Sequence, residues 1–99
     1  MTVQFRAKAL DDVNSIYRYR MTEHSAEVAA HVEAGIFATT KMLCRHPEFG
    51  TKTDHTFVRR WPMMEYDYTI FYLIDWKDEA LDILRVVDGR RVRNLRKVP

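Results

Sequence analysis

Two periods of hydrophobic and polar residues divide the chain into two parts. Val3 and Phe5 alternate with polar neighbours, which predicts a short first strand. From Ala7 to about Met21, and again after Ser25, apolar residues recur at the spacing of amphipathic helices. The side chains expected to face inward from these two helices are Leu10, Val13, Ile16, Tyr17, Met21, Val28, Val32, Ile36 and Leu43. The first part is therefore predicted to be a strand followed by an antiparallel pair of helices.

Local signals set the ends of the second helix. Ser25 is a favourable N-cap, and Pro47 disfavours helical geometry in the residue before it, so the helix is expected to end near Arg45. Residues 46–56 are rich in Pro, Gly, Thr and Asp, a composition typical of a connection. On the first helix, the charged residues that lie mostly away from the apolar stripe are Asp11, Asp12, Arg18 and Arg20.

After residue 56 the period changes to two, which indicates strands. Strands are predicted at residues 57–61, 66–74 and 80–87, with a turn at residues 76–79. In the last strand, one face is expected to carry Leu81, Ile83, Arg85 and Val87, and the other Leu84 and Val86. This order predicts an α+β fold, with the helical hairpin packed on an antiparallel sheet of about four strands. Residues 1–99 are expected to form one domain.

The composition favours a folded, cytoplasmic protein without a cofactor. Hydrophobic residues make up 46% of the chain and charged residues 30%, and no apolar run approaches the roughly 20 residues of a membrane span. The amino terminus lacks the pattern of an export signal. The four histidines have no metal-ligand spacing, the three glycines form no phosphate-binding loop, and Cys44 is interpreted as a small buried hydrophobe.

Positive charge is concentrated at the carboxyl end. Residues 89–99, here called the basic tail, carry a charge of +5, whereas the remaining residues sum to −3. A polyanion or an acidic peptide is the natural partner of such a segment. Arg59, Arg60 and Arg85 could extend the cationic surface over part of the sheet. The alternative is that these cations only keep an exposed segment solvated.

Several segments together resemble the RelE/ParE toxin superfamily. Residues 3–12 look like its first strand entering a helix, and residues 68–75 look like its aromatic third strand. Gly89 to Arg91 resembles the G-[RK]-R turn that follows the fourth strand in many members. The other segments that carry the resemblance are 16–19, 46–50, 59–61 and 83–88.

This resemblance implies a toxin of a type II toxin-antitoxin system. A cognate antitoxin would wrap the helical hairpin and the sheet with its C-terminal segment, and the toxin would reach operator DNA only through the antitoxin. ParE-like members are similar to inhibitors of DNA gyrase, whereas RelE-like members are endoribonucleases that cleave mRNA on the ribosome. If the chain were a ribonuclease, its catalytic cations would be Arg59, Arg60, Arg85 and Arg91.

Departures from the ribonuclease pattern favour the ParE-like branch. Tyr68 stands where ribonuclease members typically carry an arginine, and the basic tail has no tyrosine or histidine for acid/base chemistry. The residues expected to bind the target or the antitoxin are Arg90, Arg91, Arg93, Arg96, Lys97 and Tyr68.

Other candidate residues have a structural alternative. His46 and Glu48 could supply acid/base chemistry, but a His-Pro-Glu segment is more typical of a turn that ends a helix. Tyr66, Tyr68 and Tyr72 could stack on bases, or could pack on the sheet with their hydroxyl groups at its rim.

Overall fold

The computed structural model describes residues 1–92 and 97–99. Its elements are β1 (Thr2–Phe5), α1 (Ala7–Glu23), α2 (Ala26–Arg45), β2 (Thr51–Lys52), β3 (Val58–Pro62), β4 (Tyr68–Asp75), β5 (Ala80–Asp88) and α3 (Gly89–Val92). The predicted α+β order of a strand, two helices and further strands is confirmed. None of the helices in the described residues is both long and apolar enough to cross a membrane.

The sheet is mixed and not purely antiparallel. Within the described residues it has five strands in the order β1-β5-β4-β3-β2, and β1 runs parallel to β5 while the other pairs are antiparallel. The sheet thus differs from the predicted antiparallel sheet of about four strands in one additional short strand and in the parallel pairing of β1. The backbone groups of β1 need partners, and they find them on the free edge of β5, whose direction is already set by the meander. β2 has two residues, too few to produce a periodic signal.

The second helix begins and ends where its local signals place it. The Ser25 hydroxyl accepts a hydrogen bond of 3.1 Å from the Val28 N–H, and the helix ends at Arg45. This side chain satisfies one of the amide groups that a helix leaves unpaired at its amino end. The chain reverses between Glu23 and Ala26, so that α1 and α2 pack against each other as predicted.

The main core lies between the helices and one face of the sheet. Its buried members are Ala9, Val13, Val32, Ile36, Leu43, Tyr68, Ile70, Tyr72, Leu81, Ile83 and Val86. The inward face predicted for α1 was wrong at its edges, because Leu10 is 48% exposed and Met21 is 45% exposed. The buried stripe of α1 instead begins at Ala9, whose small side chain is fully buried. Cys44 is half-buried at the margin of this core, and its thiol donates a hydrogen bond to the Met1 carbonyl.

A smaller cluster covers part of the opposite face of the sheet. Its buried members are Val58, Phe71, Val87 and Val92, with Leu73, Leu84 and Val98 packed beside them. Val92 belongs to α3, so the first residues of the basic tail form a helical turn that is anchored on this face. Both faces of the central strands therefore carry buried side chains, although the helical hairpin covers one face alone.

A β-bulge in β5 reverses the alternation of side chains along that strand. Phe71 pairs with Arg85 and Tyr72 pairs with Ile83, so β5 has one extra residue between these pairs. As a result Val86 joins the core beneath the helices, whereas Val87 lies in the cluster on the opposite face. The faces predicted for these two valines were wrong, because an inserted residue shifts a period of two by one position.

Asp12 of α1 binds the bulge. Its Oδ2 accepts hydrogen bonds from Arg85 Nε at 2.8 Å and from the Val86 N–H at 2.9 Å, and its Oδ1 accepts from Arg85 Nη2 at 3.1 Å. The side chains of Arg85 and Asp12 are 23% and 17% exposed. The hydrogen bonds to Asp12 raise the pKa of Arg85. The carboxylate thus joins the helix layer to the irregular part of the sheet.

Tyr72 holds the connection that follows α2. Its hydroxyl, which is buried, donates to the Pro47 carbonyl at 2.7 Å and accepts from the Gly50 N–H at 2.8 Å. Burial raises the pKa of this hydroxyl. A Cβ at Gly50 would overlap the Tyr72 hydroxyl, so glycine is required by this close approach. Tyr72 therefore packs in the sheet, but its hydroxyl group is not at the rim as expected.

Replacing Asp12 with alanine should lower the free energy of unfolding by about 2–4 kcal/mol, because the Arg85 guanidinium and the Val86 N–H would lose their acceptor. Urea unfolding followed by circular dichroism measures this change. The matched control is Asp11→Ala, which removes an exposed carboxylate from the same helix turn and should change stability by less than about 0.5 kcal/mol. Equal losses in the two variants would contradict the role given to Asp12.

Candidate functional site

A groove opens where the second half of α1 faces the ends of β4, β5 and α3. Its volume is about 710 Å³. The arginines and tyrosines that line it are Arg20, Arg85, Arg90, Arg91, Tyr19 and Tyr68. We call it the arginine groove. It brings together four of the residues predicted from the sequence, from three different elements of the fold.

Three aspartates also line the arginine groove, and two of them form ion pairs with its arginines. Asp12 binds Arg85, and Asp88 binds Arg90 through Nη2 at 2.8 Å and Nε at 3.2 Å. These hydrogen bonds, together with one from the Arg90 N–H, lower the pKa of Asp88 to about 2. Asp67 lines the groove as well, and its carbonyl accepts from the Gly89 N–H.

The two arginine pairs differ in how firmly they are held. The Arg90 side chain is 75% exposed, so water screens its interaction with Asp88 and a partner's carboxylate could replace Asp88. The Arg85 side chain is mostly buried against α1, so a partner's carboxylate could not replace Asp12 as readily. Arg91 is exposed, and its side chain forms no ion pair or hydrogen bond with the described residues.

Arg20 is a groove residue that sequence reasoning missed. Its Nε donates to the Tyr68 hydroxyl at 3.1 Å, and its Nη1 lies 3.3 Å from His24 Nε2. The guanidinium carbon lies 5.5 Å from the ring centres of Tyr66 and Tyr68, and 5.9 Å from that of Tyr19. Cations gain electrostatic stabilisation from such aromatic faces.

A signal for Arg20 was present in the sequence. It follows Val13 by seven residues and Ile16 by four, so it lies on the buried stripe of α1 and not away from it. A cation on an inward-facing stripe indicates a specific partner, because a buried charge is costly unless it is paired or hydrogen-bonded. The same misassignment affected Asp12, which precedes Val13.

Arg59 and Arg60 lie outside the arginine groove. Arg59 Nη1 donates to the carbonyls of Gly50 at 2.7 Å and Glu48 at 3.2 Å, whereas Arg60 Nη1 donates to the Val92 carbonyl at 2.8 Å. Adjacent residues of a strand point to opposite faces, so these two side chains diverge. They bind the connection after α2 and the end of α3.

The remaining predicted residues are distributed over other parts of the molecule. His46 caps α2, and its ring stacks on Phe49 at 4.5 Å, which agrees with a turn that ends a helix. Lys97 lies in a separate, smaller cavity with Asp54 and His55. Arg93 and Arg96 lie outside the described residues. Among the side chains that the structure describes, no group of His, Cys, Asp and Glu could hold a metal ion.

The fold and the groove describe a small α+β protein, and comparison with family models identifies its family. Residues 3–93 match the family model described as "ParE toxin of type II toxin-antitoxin system, parDE". The chain therefore belongs to the ParE toxin family, which confirms the resemblance to the RelE/ParE superfamily and its ParE-like branch.

Comparison of structures supports the same fold. The chain is similar to a solved structure titled "Chromosomal ParDE TA system from P. aeruginosa", with a TM-score of 0.76 and 19% sequence identity. The match covers 89% of this chain and 95% of that chain. A comparison with curated proteins finds no match to the sequence.

Replacing Arg90 with alanine should raise the pKa of Asp88 from about 2 toward the ordinary aspartate value of roughly 3.9, because the main cause of the lowered pKa is removed. The pKa of Asp88 is lower in the folded state than in the unfolded state, so the charged carboxylate stabilises the fold at pH values above the unfolded-state pKa. This stabilisation is lost as the pH falls from that value toward 2. NMR titration of the Asp88 carboxyl carbon measures the shift. Arg91→Ala is the control and should raise the pKa of Asp88 by a smaller amount, since Arg91 acts on Asp88 only through its charge. An unchanged Asp88 titration in Arg90→Ala would contradict the pairing.

Proposed function

We propose that this protein is a growth-inhibiting toxin that binds DNA gyrase without catalysing a reaction, and that a cognate antitoxin neutralises it. The observation that carries the proposal is the match to the ParE toxin family over residues 3–93. The gyrase target comes from the resemblance of the sequence to ParE-like gyrase inhibitors. Residues 1–99 act as one toxin domain in this proposal, and the protein works in the cytoplasm, where its targets are found.

The contacts of the candidate catalytic arginines support binding over cleavage. A ribonuclease needs cations whose donors converge on the scissile phosphate, where negative charge develops in the transition state. Here Arg59 and Arg60 donate to backbone carbonyls on different sides of the sheet, and Arg85 is bound by Asp12. Tyr68, at the position of the family's further arginine, has its hydroxyl bonded to Arg20.

The antitoxin is the second proposed partner. The similar solved structure is titled as a ParDE toxin-antitoxin system, which supports an antitoxin partner for this chain as well. Its C-terminal segment would wrap the helical hairpin and the sheet, and operator DNA would be reached only through it. In this proposal the target or the antitoxin binds Tyr68 and the cations of the basic tail, which are Arg90, Arg91, Arg93, Arg96 and Lys97.

The purified protein should inhibit supercoiling by DNA gyrase and should leave mRNA intact on translating ribosomes. The two assays are run in parallel at the same protein concentrations, with a defined message in the ribosome reaction. Inhibition of gyrase without cleavage supports the proposal. Cleavage of the message between codons, with normal supercoiling, would instead establish the ribosome-dependent ribonuclease.

The triple variant with Arg90, Arg91 and Arg93 replaced by alanine should lose growth inhibition and retain the wild-type fold. Arg90 and Arg91 are exposed, and exposed substitutions usually change stability by less than about 0.5 kcal/mol. The matched control replaces the exposed Arg18, Lys41 and Arg45, which removes the same charge from the helices. Growth after induction and circular dichroism are measured for both. Toxicity that persists in the first variant would reject the tail as the effector surface.

A further inference from the structure

The guanidinium group of Arg20 has hydrogen-bond donors that residues 1–92 and 97–99 leave unused. It makes hydrogen bonds to Tyr68 and His24, and its remaining N–H groups have no hydrogen-bond partner among the described residues. The residue is half-buried and lines the arginine groove, so its side chain is partly removed from water. A partly desolvated cation with unused donors favours binding of an anionic group.

Arg20 also has no ion pair with any carboxylate of the described chain. Two carboxylates that line the groove are engaged by other arginines, because Asp12 binds Arg85 and Asp88 binds Arg90. Its stabilisation within the fold comes from the tyrosine rings and the Tyr68 hydroxyl. These contacts also hold the guanidinium in place before a ligand arrives, which lowers the entropic cost of binding.

The charges around Arg20 suit one carboxylate better than a polyanion. The lining of the arginine groove has four arginines and three aspartates among its described residues, so the net positive charge is small. A nucleic acid strand would bring several phosphates close to these aspartates and would be repelled by them. A single Asp or Glu side chain can approach Arg20 and Arg91 without meeting the same density of negative charge.

An aromatic surface stands beside this cation. Tyr19 is 56% exposed, and its ring lies next to the Arg20 guanidinium. Exposed tyrosine and arginine side chains are the residues most often enriched at the energetic centre of protein interfaces. The groove therefore offers a cation and an apolar ring side by side, which is the chemistry for an acidic residue with an apolar neighbour.

We propose that Arg20 is a specificity-determining anchor for an Asp or Glu side chain of a protein partner, and that an apolar residue next to this carboxylate packs on Tyr19. The inference rests on the proposed function in one respect, namely that the protein acts by binding other proteins. The segment of the partner that binds Arg20 is an acidic peptide. Neither Arg20 nor Tyr19 was among the catalytic or binding residues predicted from the sequence.

The experiment starts from peptides selected on the wild-type protein from a random library of displayed peptides. The enriched peptides should contain an Asp or Glu beside an apolar residue. For one such peptide, replacing the acidic residue with its amide should weaken binding to the wild-type protein by about tenfold or more, since hydrogen bonds to charged groups are lost. In the Arg20→Met variant, replacing the acidic residue of the peptide with its amide should change the affinity by less than about twofold, because the cation that binds the carboxylate is already absent.

Two controls keep this result specific. Arg18→Met removes an exposed cation from the same helix and should keep the full tenfold difference between the acidic and amide peptides. The Arg20 Nε–H resonance of the wild-type protein should shift with the acidic peptide and not with its amide form. This second measurement needs no variant, so it decides the question even if Arg20→Met does not fold.

Several results would overturn the proposal. They are the absence of any enriched acidic peptide, an undiminished effect of the peptide change in Arg20→Met, an unperturbed Arg20 resonance, and stronger binding of oligouridylate than of the peptides at the same site. Failure to inhibit gyrase would reject the proposed target but would leave the peptide result standing. Loss of the acidic preference with intact gyrase inhibition would reject the Arg20 anchor alone.

Discussion

The contact between Asp12 and the bulge of β5 determines how the two layers of this protein fit together. The bulge frees a backbone N–H at Val86 and turns Arg85 toward α1, and one carboxylate satisfies both groups. The position of α1 on the sheet depends on this contact, and the arginine groove lies between the same two elements. A structural constraint and a candidate binding site thus share the residues Asp12 and Arg85.

The arginines discussed above fall into two groups, those that stabilise the fold and those that an external group can reach. Arg59, Arg60 and Arg85 are held by backbone carbonyls or by Asp12, and they stabilise the connection after α2, the end of α3 and the bulge. Arg20, Arg90 and Arg91 line the groove, where an external group can reach them. A positive net charge is therefore a poor guide to function in this chain, because about half of these cations serve the fold.

The division supports the proposed function, in which this member of the ParE toxin family acts by binding other proteins. Nucleic acid chemistry requires several cations that converge on phosphates, whereas protein recognition can use one well-placed cation beside an aromatic surface. The groove has the second arrangement, with Arg20 held among tyrosine rings. We therefore propose the end of the molecule that contains the groove as the protein-binding surface.

The sequence by itself determined the two long helices and the four longer strands of this fold, because caps, proline and hydrophobic period are local signals. It placed α2 between Ser25 and Arg45, located the three main strands to within about two residues, and concentrated positive charge after residue 88. Only the tertiary structure decided the parallel pairing of β1, the faces of Val86 and Val87, and the partners of Asp12 and Arg20. These features depend on strand edges, on one inserted residue and on contacts between distant segments, and no local pattern of residues encodes them.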